Sequence, residues 1–120
     1  MINPGIKKMI EENALAFATV TPKGNPHCIA VGDVKVIGKN QLLIGDVYFV
    51  ETNKNIKANK NVSLSVWARN WEKDCHGYEF RGTAKYFNSG KWLEQVKKIH
   101  EGFRPKGAIL VTVSKIKTLL

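Results

Sequence analysis

Two closely spaced turn signals constrain this chain more than any other feature. Pro22-Lys23-Gly24-Asn25 and Gly38-Lys39-Asn40 each interrupt stretches rich in β-branched and aromatic residues, and their Pro, Gly and Asn residues suit the backbone angles a reversal needs. They separate three candidate strands at residues 15–21, 26 to about 37, and 41 to about 49. Connections this short cannot hold the crossover that parallel neighbours require. The three strands are therefore expected to open an antiparallel sheet.

Local signals extend the reading in both directions. Asn3 is placed to cap a helix with Pro4 in its first turn, and Ile6, Met9 and Ile10 fall on one face before Asn13 ends it. At residues 51–59 β-branched residues thin out and Ile56 is the only large apolar side chain, which suits a short polar helix or turn. Val62, Leu64 and Val66 then alternate with Ser63 and Ser65, the period of a half-buried strand. A loop at 70–77 leads to a fifth strand at 78–87. Ser89 is read as the cap of a helix with Trp92, Val96, Ile99 and Phe103 in one stripe, ending near Gly102 and Pro105. A sixth strand starts at Ala108 and runs to about 114, with scope to reach 119. No repeat or linker divides the chain, so one domain over residues 1–120 is expected. An antiparallel barrel with appended helices removes exposed sheet edges and commonly binds ligands at its mouth or at a shared surface.

Composition narrows the function classes. Hydrophobic residues make up 43% and charged residues 24% of the 120, and no stretch approaches the roughly 18 apolar residues of a membrane span. The amino terminus lacks a basic segment followed by an apolar run, so a cytoplasmic location is expected. Cys28 and Cys75 lie far apart, outside any metal-ligand spacing, and read as reduced thiols; no metal is assigned. The formal charge of +9 attracts phosphates, nucleic acid or anionic surfaces. Its lysines are scattered, without the interleaved aromatics of a nucleic-acid groove, so a solvated surface is the better reading.

The segment with most chemical content is Asp46-Val47-Tyr48-Phe49-Val50-Glu51-Thr52-Asn53-Lys54-Asn55, where a strand runs out into hydroxyl, amide and ammonium groups. A helix N-terminus, a hydroxyl from Thr52 and the charge of Lys54 together suit a phosphate. The same residues also read as a turn cap at Thr52 with Lys54, Lys57 and Lys60 as a solvated face. Spacing leaves both readings open.

The order of motifs resembles the pyridoxamine 5'-phosphate oxidase-like family of flavin-binding split barrels, especially its short FMN-binding members. The resemblance covers residues 14–119. Ala16-Phe17-Ala18-Thr19-Val20 followed by Gly24-Asn25-Pro26-His27 is similar to the family's opening hairpin; Asn55-Ile56-Lys57-Ala58-Asn59-Lys60-Asn61-Val62 and Phe80-Arg81-Gly82-Thr83-Ala84 continue the likeness. It implies a mainly β, six-stranded antiparallel split β-barrel that forms a homodimer, with FMN at the subunit boundary. On this resemblance Glu51, Thr52, Asn53 and Lys54 correspond to the flavin phosphate site. Ile29, Ala30, Val31, Gly32 and Asp33, with Gly45, Asp46 and Val47, correspond to the surface under the isoalloxazine ring. The small Ala30, Val31 and Gly32 suit close approach of a flat ring, and equally suit a tight barrel. Arg104, with Phe103 and Lys106, falls where residues reach across the boundary. Family members often carry Lys or Arg at the positions of Glu51 and Thr52, and an acid there repels a phosphate unless it points outward or Lys54 offsets it.

A flavin supplies its own hydride and single-electron chemistry, so no catalytic base is required, and none stands out. His27 follows a turn, His76 sits in a loop and His100 lies beside apolar residues on a helix; all three read as structural or surface groups. The expectation is an FMN-binding oxidoreductase or electron-transfer protein acting on a small-molecule redox substrate or a redox partner, without membrane association. The alternatives are a non-catalytic flavin carrier, a basic nucleic-acid-binding barrel, and a relative that takes a deazaflavin or heme. No second phosphate site for a pyridoxal substrate is evident.

Overall fold

The first helix begins as the sequence implies: Asn3 accepts the Ile6 amide at 2.8 Å, with Pro4 in the first turn. The structure is a computed structural model and describes residues 1–119. In chain order its elements are α1 (Pro4–Glu12), β1 (Leu15–Val20), β2 (Pro26–Val31), β3 (Lys35–Ile37), β4 (Gln41–Asp46), α2 (Glu51–Ala58), β5 (Asn61–Trp67), β6 (Gly77–Phe87), α3 (Lys91–Ile99) and β7 (Gly107–Leu119). All strands join one antiparallel sheet in the order β2-β1-β5-β6-β7-β4-β3.

The two edges of that sheet, β2 and β3, are consecutive in sequence. The strand expected over residues 26–37 breaks at Gly32 and Asp33, so the sheet counts seven strands where an unbroken one would leave six. Asp33 has φ 51°, the left-handed region that Asp tolerates better than most residues. The chain thus leaves one edge and enters the other, and the seam between them makes the barrel a split one. The expected third strand pairs with β3 and β7 and not with β2. Helix α1 covers part of the β3 edge, where Glu11 accepts the Val36 amide at 2.9 Å.

Alternation places the core. Leu15 and Phe17 of β1, Leu64 and Val66 of β5, and Phe80 of β6 point inward; burying a side chain of this size contributes about 1.5–3 kcal/mol. Strand β4 is buried on both sides. Leu42 and Ile44 face the barrel core, while Leu43 packs on Leu93 and Val96 of α3. Asn55 and Asn59 of the family-like motif tie α2 to the strands beside it: Asn55 is buried and donates to the Thr19 hydroxyl of β1 at 3.0 Å, and Asn59 accepts the Asn61 amide at the start of β5.

The third helix corrects two expectations. Gly90, not Ser89, occupies the N-cap at φ 91° without a side-chain cap; that backbone angle separates Ser89 from the helix. The helix stops at Ile99, so Phe103 is not on its stripe but beyond it and exposed, after Gly102 at φ 89°. Trp92 packs beside the Leu43, Leu93 and Val96 cluster, as a core-facing aromatic does.

Candidate functional site

The end of β4 divides two environments. Successive strand residues point to opposite faces; Asp46 follows Leu42 and Ile44 toward the core, and Gly45 follows Leu43 toward α3. Asp46 is fully buried. Its Oδ1 accepts the Phe49 amide at 2.7 Å, and its Oδ2 accepts Asn53 Nδ2 and the Tyr86 hydroxyl, each at 2.7 Å. The Lys106 ammonium lies 4.0 Å from the same oxygen and donates to the Phe49 carbonyl. Strands β4 and β6, helix α2 and the segment just before β7 therefore meet on one carboxylate. Burial, and next the Asp46 hydrogen bond, push the Tyr86 phenol well above its ordinary range. Gly107 belongs to the same arrangement, because a Cβ there would lie 2.1 Å from the Tyr86 oxygen.

On the other face lies an open cleft of about 220 Å³. Its walls come from residues 30–33 at the end of β2, residues 45 and 47–49 after β4, and His100 and Phe103 after α3. Gly45 is required by close approach: a Cβ would come within 2.8 Å of His100 Cδ2 and Nε2. The His100 side chain is 9% exposed; its Nδ1 is 3.4 Å from the Asp33 carboxylate, and its Nε2 is buried without a hydrogen-bond partner. Tyr48 and Phe103 stand at the rim, 82% and 57% exposed.

The structure thus gathers Ala30, Val31, Gly32, Gly45 and Val47 around one cleft. Two neighbours in the expected set lie elsewhere. Ile29 lines an adjacent hollow with Trp67, Cys28 and Ala30, and Asp46 turns inward because of the strand alternation. Arg104 is exposed beside the cleft's Phe103, and Trp71 is exposed in the loop before β6. At the start of α2, Thr52 is buried and Lys54 exposed. Asn53 is held by Asp46 and the Phe49 carbonyl, leaving its own buried Oδ1 unpaired. The Glu51 carboxylate lies against His27 Nδ1 on β2 and sits in the first turn of α2, where a negative charge complements the helix dipole.

Sequence reasoning did not anticipate the Asp33–His100 pair or Tyr48 at the rim, whereas the resemblance places Phe103 near the boundary. A lone histidine after an amphipathic helix carries little signal, and Asp33 enters the reading only as the last residue of the ring-facing stretch 29–33, with no partner assigned to it. The available cue was Gly45, a glycine inside an otherwise apolar strand, which often marks a close approach of another group.

Comparison with known proteins agrees with this architecture along the whole chain. An uncharacterized protein of Methanocaldococcus jannaschii is 28% identical, over 93% of this chain and 76% of its own length. The crystal structure of HupZ from Group A Streptococcus superposes with a TM-score of 0.91 at 26% identity, covering 99% of this chain and 94% of that one. An FMN-binding protein from Syntrophomonas wolfei subsp. wolfei shares the fold at a TM-score of 0.85 and 16% identity, covering 95% and 83%. The pyridoxamine 5'-phosphate oxidase family model matches residues 2–119. With the split barrel, the opening hairpin and the Asn55 to Asn59 helix all in their expected order, the chain belongs to the pyridoxamine 5'-phosphate oxidase family.

Proposed function

We propose that this protein is an FMN-binding flavoprotein that works as an oxidoreductase or electron carrier, with the isoalloxazine ring in the cleft between residues 30–33 and Gly45. The observation that carries the proposal is the cleft itself. Three stretches distant in sequence converge on one cleft, and Ala30, Gly32 and Gly45 among its lining residues have almost no side-chain bulk, which lets a flat ring approach the backbone. Val47, Tyr48 and Phe49 connect that wall directly to the first turn of α2, where Thr52, Asn53 and Lys54 would hold the phosphate end. The pairing of Glu51 with His27 draws the acid's charge away from that role.

The proposed active form is a homodimer. At about 220 Å³ the open cleft is smaller than the roughly 300–1,000 Å³ of sites that enclose a cofactor-sized ligand. A second copy covering Tyr48, Phe103 and Arg104 would complete it and bury the exposed rings. The flavin, once bound, supplies hydride or electron transfer; the chain's residues bind it, orient it and shield it from water. No helix of the described residues is long and apolar enough to cross a membrane.

The test is the visible spectrum of the purified protein, followed by fluorescence titration with FMN, riboflavin and a deazaflavin. The expected result is saturable quenching by FMN, tighter than by riboflavin because of the phosphate. A colourless protein with no saturable quenching overturns the proposal, and preference for the deazaflavin reassigns the cofactor. Lys54→Glu should weaken FMN by about tenfold and riboflavin little; equal FMN affinity would show that the phosphate lies elsewhere. Oxidation of reduced nicotinamides by the loaded protein separates an enzyme from a carrier.

A further inference from the structure

We infer that His100, oriented by Asp33, is the polar recognition group of the cleft, contacting a hydrogen-bonding edge of the heteroaromatic ring bound there. The inference rests on the flavin reading above. It starts from an anomaly: His100 is 9% exposed, and its Nε2 has no partner. Buried polar atoms are nearly always paired, and an orphan in a well-packed place calls for a cause. Within the same molecule the buried Asp46 satisfies both of its oxygens, and among the described residues the other buried polar side-chain atom without a partner is Asn53 Oδ1, in the first turn of α2.

Three features place the orphan where a ligand would use it. His100 sits one residue past α3, held there by its own amide bond to the Val96 carbonyl at 2.9 Å. Its Cδ2–Nε2 edge lies against Gly45, one wall of the cleft, and only a glycine leaves space for the ring. Asp33, 3.4 Å from Nδ1, favours the tautomer with the proton on that nitrogen. Nε2 of the neutral ring is then an acceptor, and protonation converts it to a donor. A ligand edge that alternates N–H groups with ring nitrogens and carbonyls can be matched in either form. A purely apolar ligand would leave Nε2 unpaired, so the class indicated is a polar-edged heteroaromatic.

Asp33 is fitted to this positioning role by its backbone. Its φ of 51° is a conformation that Asp and Asn adopt more readily than other non-glycine residues, so Asp33→Asn removes the charge without adding strain. The carboxylate is largely exposed, and the substitution leaves the core intact.

The experiment is FMN titration of the full chain and its variants, each checked by thermal melting, together with ¹⁵N NMR of histidine-labelled protein. His100→Phe should weaken FMN by about tenfold, the scale of one lost buried hydrogen bond. His100→Gln, which can place an amide near the Nε2 position, should stay within about threefold of wild type. Asp33→Asn should fall between them and shift the His100 ring toward the other tautomer, an effect that a merely structural role would not produce. In wild type the Nε2 resonance should move at saturating FMN. His100→Phe that folds and binds normally overturns the inference. If that variant does not fold, an Nε2 resonance unmoved by FMN overturns it equally. A wild-type protein without FMN affinity removes both this inference and the flavin reading, whereas affinity indifferent to His100 removes this one alone.

Discussion

Gly45 and Asp46 are neighbours on β4, yet they serve opposite kinds of environment. On the Asp46 side a buried carboxylate is surrounded by an amide, a phenol, a backbone N–H and an ammonium, and both of its oxygens are used. On the Gly45 side a buried imidazole presents a nitrogen with no partner, beside an open wall and exposed aromatic rings. Saturated polar groups stabilise the fold, because any loss strands several partners. An unsaturated buried group costs stability and persists where something else completes it. One strand thus holds the structure with one face and lines the open cleft with the other.

The contrast breaks most visibly at Asp46. Asp46→Ala strands the Tyr86 hydroxyl, Asn53 Nδ2 and the Phe49 amide, and it should destabilise by about 3 kcal/mol or more, lowering the melting temperature by roughly 10 °C. A melting temperature near wild type would show that the carboxylate is not the tie between α2, β4 and β6. Gly45→Ala attacks the other face: the new Cβ meets the His100 ring, at an expected cost of about 1–3 kcal/mol in denaturant unfolding. FMN affinity should drop with it, and unaltered affinity would separate His100 from the ligand surface.

Tyr86→Phe is the milder version of the first change and should cost about 1–2 kcal/mol for a single lost bond. It also has a pH signature. Because the Tyr86 phenol is raised in the folded protein, its contribution is complete below the ordinary tyrosine value of about 10. It is lost as pH climbs through the higher folded value. Alkaline unfolding above about pH 10 should therefore be steeper in wild type than in Tyr86→Phe; parallel curves would contradict the assignment. The smallest effect is expected from Glu51→Lys, which places a basic residue where family members often have one. Glu51 is the exposed member of its pair with His27, so stability should change by less than about 0.5 kcal/mol. FMN should bind a few-fold tighter, and weaker binding would mean that Glu51 contacts the cofactor directly.

Much of the architecture was legible in local chemistry. Asn3 and Pro4 begin α1, the Pro22 to Asn25 turn closes the first hairpin, and the Val62, Leu64, Val66 alternation marks β5, because caps, turns and the two-residue period act over a few neighbours. Ala30 to Gly32 and Gly45 were picked out through the family resemblance, and the structure puts them on one cleft. Phe103 was misplaced because a helical stripe was extrapolated past Gly102, whose backbone angle does not continue a helix. Ser89 failed as a cap for a similar reason, with Gly90 intervening.

Asp46 was the harder case. It stood in the expected ring-binding set as one residue of a run, but the alternation that puts Leu42 and Ile44 in the core carries Asp46 there too. The amino-acid sequence by itself determined the strand and helix order, the antiparallel opening of the sheet and the family, since each rests on short-range pattern or on motif order. Only the tertiary structure decided the rest. It broke the second strand at Asp33, joined Glu51 to His27, saturated Asp46 and left His100 Nε2 without a partner beside Gly45. Those outcomes depend on which side chains arrive together from distant parts of the chain, and packing geometry is not written in any one segment.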